Sequence, residues 1–249
     1  MKIIVFNNEN KLDEYVGKHI IDFIDSHEHP VIGFATGSTP LGTYRYFIDQ
    51  FKAGKADFSN VTAFNLDEYV GIEKSHPRSF AMAMKEALFS HINIDVNHIH
   101  ALNGAARDME EECLRYEEEI NNHPIDIQIL GIGMDGHIAY NEPGSPFDGG
   151  CHVVDLHNES IESSLDYGFD RIEDVPRQGV TQGIATIMKA KQLIMMAKGD
   201  KKARLVERML YGEVSENFPS SIIQKHDNVI VVLDKEAAKY VKEEDYERS

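Results

Sequence analysis

Six short apolar runs, rich in β-branched residues and separated by longer amphipathic stretches, constrain this chain more than any single motif. They are KIIVF (2–6), VIGFA (31–35), VTAFNL (61–66), IDIQIL (125–130), QLIMMA (192–197) and NVIVVL (228–233). Uniformly apolar runs alternating with helical patterns predict a parallel sheet covered by helices on both faces, an α/β fold. Between the first two runs, Leu12, Tyr15, Val16, His19, Ile20 and Phe23 keep helical spacing over 11–26. The segment 107–120 predicts a second helix, with Met109, Cys113 and Tyr116 inward and its acidic run a solvated face. At 249 residues the chain is long enough to bury a full core, and one domain is expected.

Charge and cysteine content exclude several functions. Forty-two acidic residues against 25 basic ones give a formal charge of −17, which opposes broad binding to a nucleic-acid backbone. An anionic ligand must then be gripped locally. Cys113 and Cys151 are far apart in sequence and lack metal-ligand spacing, so ordinary thiols in a reducing cytosol are expected. No apolar run reaches membrane-spanning length, and MKIIVF is too short for a signal-peptide core. A soluble, cytoplasmic protein without membrane or nucleic-acid partners is the expectation.

Parallel sheets bind ligands beyond the carboxyl ends of their strands, and four chemically rich segments follow predicted strands. TGSTP (36–40) combines small residues with Pro40, placed to begin a helix, so that Gly37, Ser38 and Thr39 resemble a phosphate cradle. The alternative is a tight turn in which Ser38 or Thr39 caps the helix. DEYVG (67–71) brings Asp67 and Glu68 to a strand end, where their side chains diverge and one can serve as a base. Helix capping by Asp67 is the competing reading. KGDKK (198–202) supplies Lys198, Lys201 and Lys202, one of which is a candidate counter-charge opposite the cradle.

The fourth segment, GIGMDGHIAYNEPG (131–144), spells a glycine pattern like that of dinucleotide sites, with Asp155 about where a ribose-binding acid falls. Pro143 and Gly144 deny it the long helix that such a site needs, and Asp135 would oppose a pyrophosphate. Asp135, His137 and Glu142 instead form acid–base equipment, in which carboxylates fix an imidazole that shuttles a proton. No set of ligands at metal spacing is apparent; the HEH (27–29) and HIH (98–100) histidines read as surface or structural residues. A serine hydrolase elbow is also missing.

TGSTP, FNLDEYVGI, HPRSF, LNG, LGIGMDGHIAYNEPG, DVPRQ and FPSSIIQKH occur in one order along nearly the whole chain. Together they resemble the glucosamine-6-phosphate deaminases, also called glucosamine-6-phosphate isomerases. The resemblance implies an open, mostly parallel Rossmann-like sheet in a single domain, with a mobile lid around 157–178. It implies an amino sugar phosphate as substrate, converted from glucosamine 6-phosphate and water to fructose 6-phosphate and ammonia, with no metal or organic cofactor.

By the same resemblance Asp67 takes the C2 proton and returns it at C1, while His137, oriented by Asp135 and Glu142, assists ring opening. Gly37, Ser38, Thr39 and Lys202 hold the phosphate. One departure stands out: where the family carries a phosphate-binding arginine in its lid, this chain reads ESIESSLDYGF, with Asp166 about at that position. Arg171 or Arg177 could replace the charge, or the substrate could be the galacto epimer. A sugar-phosphate sensor without catalysis and a sugar-phosphate lactonase are the competing functions, and a homo-oligomer is left open.

Overall fold

A computed structural model describes residues 1–248, apart from the side chains of Asp166 and Tyr167. Eleven strands occur among these residues: β1 Lys2–Phe6, β2 Val31–Phe34, β3 Thr62–Asn65, β4 Asp67–Tyr69, β5 Ile99–His100, β6 Ile127–Gly131, β7 His152–Asp155, β8 Gln178–Thr181, β9 Gln192–Ala197, β10 Val229–Asp234 and β11 Glu247–Arg248. Eight of them form one sheet in the order β11-β1-β10-β9-β6-β2-β3-β5. Every pairing in it is parallel. All positions of β2, β3 and β10 are buried, so both faces of the sheet centre are covered, as the apolar runs require.

Seven helices accompany the strands: α1 Glu9–Asp25, α2 Leu41–Lys52, α3 Phe80–Ala87, α4 Met109–Asn122, α5 Asn158–Ser163, α6 Ile184–Ile187 and α7 Ala203–Tyr211. The Asn8 side chain caps α1 and Asp108 caps α4, each accepting from N–H groups of the first turn. The acidic face of α4 is solvated, whereas Cys113, Tyr116 and Ile120 face the core.

A second sheet, β4-β8-β7, is antiparallel and was not legible in the sequence. It begins at Asp67, one residue after β3, so the two carboxylates open a new strand rather than ending the old one. Beside it lies a small apolar cluster of Tyr69, Phe80, Tyr140, Leu156, Ile161 and Val175. Ile161 and Val175 join this cluster from within 157–178, and Leu156 joins it from just before that segment. Cys113 and Cys151, distant in sequence, come near enough in space for their thiols to influence one another.

Candidate active site

Strand order decides which loops meet. β6 lies between β9 and β2, and β3 follows on the other side of β2. Along the carboxyl edge, the Lys198–Lys202 segment, 131–144, 36–40 and Asp67 therefore stand side by side. The chain leaves β2 toward β3 and β5, then returns to β6 on the opposite flank, which makes β2 and β6 the switch point where parallel sheets open a crevice.

At the head of β4, Asp67 is buried, and its Oδ1 has no hydrogen-bond partner among the described residues. Burial, then the charge of Glu68, pushes its carboxyl up to about 7; His137 and a hydrogen bond with Thr36 pull the other way. A carboxyl that titrates near neutrality suits a base that must also give its proton back. Glu68 points elsewhere, as alternation along a strand demands: it accepts from the N–H groups of Tyr69, Phe80 and Ala81, at the start of α3.

The loop after β6 runs to Tyr140 without a helix and folds back on itself, the Gly133 N–H donating to the His137 carbonyl at 2.9 Å. His137 Nδ1 stands 2.7 Å from Asp135 Oδ1 and 3.4 Å from Glu142 Oε2. The approach lies off the ring N–H direction, so the contact is chiefly one of charge. Burial alone would lower the imidazole, but the two carboxylates outweigh it and raise His137 to about 9. Burial likewise opposes ionisation of Asp135, yet the paired imidazole holds that carboxyl well below the usual range. Gly133 is needed for this packing, because a Cβ there would meet the His137 ring at 2.2 Å.

These three side chains offer ligand atoms within 4.8 Å of one another. Ligands about 2.0–2.2 Å from a tetrahedral zinc lie roughly 3.3 Å apart, so the 2.7 Å approach of His137 to Asp135 is that of an ion pair. The predicted acid–base group is thus assembled as a charge-linked cluster.

At the crevice's other side, Gly37 adopts φ 105°, and Pro40 is the N-cap rather than the first residue of α2. No side chain caps this helix, so Ser38 and Thr39 do not take the capping role; the Leu41 N–H donates to the Ser38 carbonyl at 3.4 Å, which leaves the later first-turn N–H groups to meet an anion. Lys202 reaches in from beyond β9, its Nζ donating to the Ile132 carbonyl at 2.6 Å. Burial lowers its pKa and the charge of Asp135 acts against that. Lys198 is committed elsewhere, paired with Asp13 at 2.7 Å, and Lys201 is exposed.

The side chain of Asp166 lies outside the described residues. Arg171 pairs with Asp174 at 2.8 Å, and Arg177 donates to the Ile172 carbonyl at 3.3 Å, both in exposed positions. Asp155 is exposed and accepts from Gln178, away from any ribose-binding role. Sequence reasoning missed Thr36, Ser160 and His157. Ser160 Oγ donates to Glu142 Oε1 at 2.6 Å, as does the His157 N–H at 3.1 Å. Thr36 lies in the TGSTP segment already singled out, whereas Ser160 and His157 carry no local signal and only the fold brings them in.

The chain is similar to known proteins along nearly its whole length. Residues 8–232 match the family described as glucosamine-6-phosphate isomerases/6-phosphogluconolactonase. Glucosamine-6-phosphate deaminase of Oceanobacillus iheyensis is 43% identical over 238 residues, covering 95% of each chain. That of Clostridium novyi is 44% identical, covering 96% of this chain and 99% of the relative. A solved structure described as a monomeric glucosamine-6-phosphate deaminase superposes with a TM-score of 0.93 at 38% identity, covering 96% of this chain and 99% of that one. The 6-phosphogluconolactonase of Trypanosoma brucei, at 20% identity and a TM-score of 0.73, shares the fold. The chain belongs to the glucosamine-6-phosphate isomerase/6-phosphogluconolactonase family.

Proposed function

We propose that the protein converts glucosamine 6-phosphate and water to fructose 6-phosphate and ammonia. The carrying observation is the pairing of a buried carboxyl held near neutrality, Asp67, with an imidazole held charged by two carboxylates, His137. Relatives over 40% identical along nearly the full chain, named glucosamine-6-phosphate deaminases, support the substrate. Tyr69 after Asp67-Glu68, and Asn141-Glu142-Pro143 after the histidine, favour this reaction over lactone hydrolysis.

His137 and its carboxylates move the proton between the ring oxygen and the C1 hydroxyl, opening the sugar. Asp67 removes the C2 proton and returns it at C1. Isomerisation gives an imine-level intermediate, and water displaces the amine as ammonia. Gly37, Ser38 and Thr39 cradle the phosphate at the start of α2, and Lys202 supplies a compact positive charge. Residues 157–178 act as a lid that excludes water during the transfer. Every residue given a role here lies on this chain. The proposed reaction belongs to amino sugar breakdown, and the cytoplasm is the compartment proposed for it. Among the described residues no helix is long and apolar enough to cross a membrane.

The test is simultaneous detection of ammonia and fructose 6-phosphate from glucosamine 6-phosphate, with galactosamine 6-phosphate in parallel. Equimolar products from the gluco substrate are expected. Turnover of the galacto epimer alone, or of neither, would overturn the proposal.

A further inference from the structure

Two thiols outside the acid–base cluster come together in the fold. Cys113 lies on α4 and is buried, while Cys151, just before β7, is partly exposed. One turn along α4, on the same helix face as Cys113, Glu117 Oε1 accepts from the Cys151 N–H at 2.7 Å and from the Thr186 hydroxyl. The segment carrying Cys151 is also fixed from its other side. The Ala185 N–H donates to the Gly149 carbonyl at 3.0 Å, and a Cβ on Gly183 would lie 2.1 Å from that carbonyl oxygen and 2.0 Å from that of Gly150. Cys113 belongs to the main core cluster and Cys151 packs against it. The neighbouring Cys151 thiol holds Cys113 below the usual thiol range, against burial and the charges of Glu112, Glu117 and Glu110.

We propose that Cys113 and Cys151 form a reversible dithiol–disulfide site that takes a small neutral hydroperoxide as its oxidant. A thiolate of the pair attacks one peroxide oxygen, so that an S–O bond forms, the O–O bond breaks and the departing hydroxide takes up a proton to become water. The second sulfur then attacks the first: the S–S bond forms, the S–O bond breaks, and hydroxide leaves with the second thiol's proton as another water. The two thiols have lost two electrons and the peroxide has gained them. A thiol reductant reverses the oxidation, so in a reducing compartment the bond is transient. The acidic neighbours favour a neutral oxidant over an anionic one such as oxidised glutathione.

The loop that this bond closes, 113–151, contains β6 together with Asp135, His137 and Glu142. Its ends are already joined through Glu117, so the disulfide staples the acid–base segment where it stands. Closing a loop of that size raises the melting temperature by about 5–10 °C.

The test needs no substrate and is independent of the proposed reaction. The full chain, reduced and freed of reductant, is treated with hydrogen peroxide; its cysteine peptides are read by mass spectrometry without reduction, and its melting temperature is taken before and after dithiothreitol. The parent should yield peptides linked through Cys113 and Cys151, melt higher by the stated amount, and return to its starting state on reduction. Cys113→Ser and Cys151→Ser should show no rise in melting temperature, the remaining thiol stopping at a sulfenic acid that dimedone traps. Oxidised glutathione at equal concentration should form the link at least about tenfold more slowly. A parent whose thiols stay free, go on to sulfinic acid, link two chains, or join without a rise in melting temperature would overturn the proposal, and equal rates with the two oxidants would overturn the choice of a neutral one.

Discussion

Replacing Gly133 by alanine isolates the placement of His137 from everything else. Gly133 is outside the left-handed region, so alanine fits its backbone, yet the new Cβ would lie 2.2 Å from His137 Cε1, 2.3 Å from Nε2 and 2.4 Å from Nδ1. Ordinary contact begins at about 3.4 Å, so the ring must retreat by roughly 1.2 Å. The 2.7 Å contact with Asp135 would lengthen to as much as about 3.9 Å, which at an effective dielectric constant of ~20 forfeits about 2 kcal/mol of attraction. His137 then titrates about one and a half units below its parental value of about 9. A shift of 1 Å in a reacting group typically lowers turnover about 100-fold. The assay is the Cε1–H NMR titration of His137 together with kcat from ammonia release. Gly131→Ala, whose Cβ would meet nothing within 4 Å, serves as the titration control and leaves His137 in place. A Gly133→Ala protein with parental titration and parental kcat would refute the placement.

Three further outcomes follow from the same geometry. The folded-state pKa of Asp67 is raised from 3.8 to about 7, so its protonated form stabilises the fold below about pH 4 and that contribution is lost as pH rises toward 7. Asp67→Asn should therefore be more stable than the parent at pH 8 by on the order of 2–4 kcal/mol, the gap closing by pH 4 in denaturant titrations; a gap that does not change with pH would count against a buried, neutral-leaning carboxyl. Lys202→Met should raise KM at least about tenfold with little change in melting temperature, because a charge-assisted bond to phosphate is worth about 1.5–3 kcal/mol; an unchanged KM would remove Lys202 from the phosphate site. Asp13→Ala should cost about 3–5 kcal/mol in chemical denaturation, since it strands Lys198, whose side chain is only 11% exposed; a loss below about 1 kcal/mol would show that Lys198 escapes to solvent.

Much of this architecture could be read from pattern. Buried parallel strands have no wet face, so VIGFA, QLIMMA and NVIVVL announce themselves, and the observed strands differ from the expected ones by a residue or two at the ends. The antiparallel sheet was illegible for the opposite reason. Its β7 is only partly buried, β4 is three residues long, and β8 contains Gly179, whose missing side chain lets Tyr140 pack against it. Asp67, Asp135, His137 and Glu142 could be named because acid–base chemistry needs their side-chain types close together in sequence or at strand ends. His157 and Ser160 could not, since their only link to Glu142 is a fold that returns the chain after β7. The Asp13 and Lys198 pair shows the same limit: three lysines stood at one strand end, and only packing assigned one to α1 and another to the crevice.

The account rests on Asp67 carrying a proton from C2 to C1. Turnover of glucosamine 6-phosphate deuterated at C2, in ordinary water and with the product read by NMR, tests this most directly. The parent should yield fructose 6-phosphate bearing deuterium at C1, and Asp67→Asn, while still binding the substrate, should yield none above the enzyme-free blank. Deuterium entering C1 at the parental rate in Asp67→Asn would contradict the account.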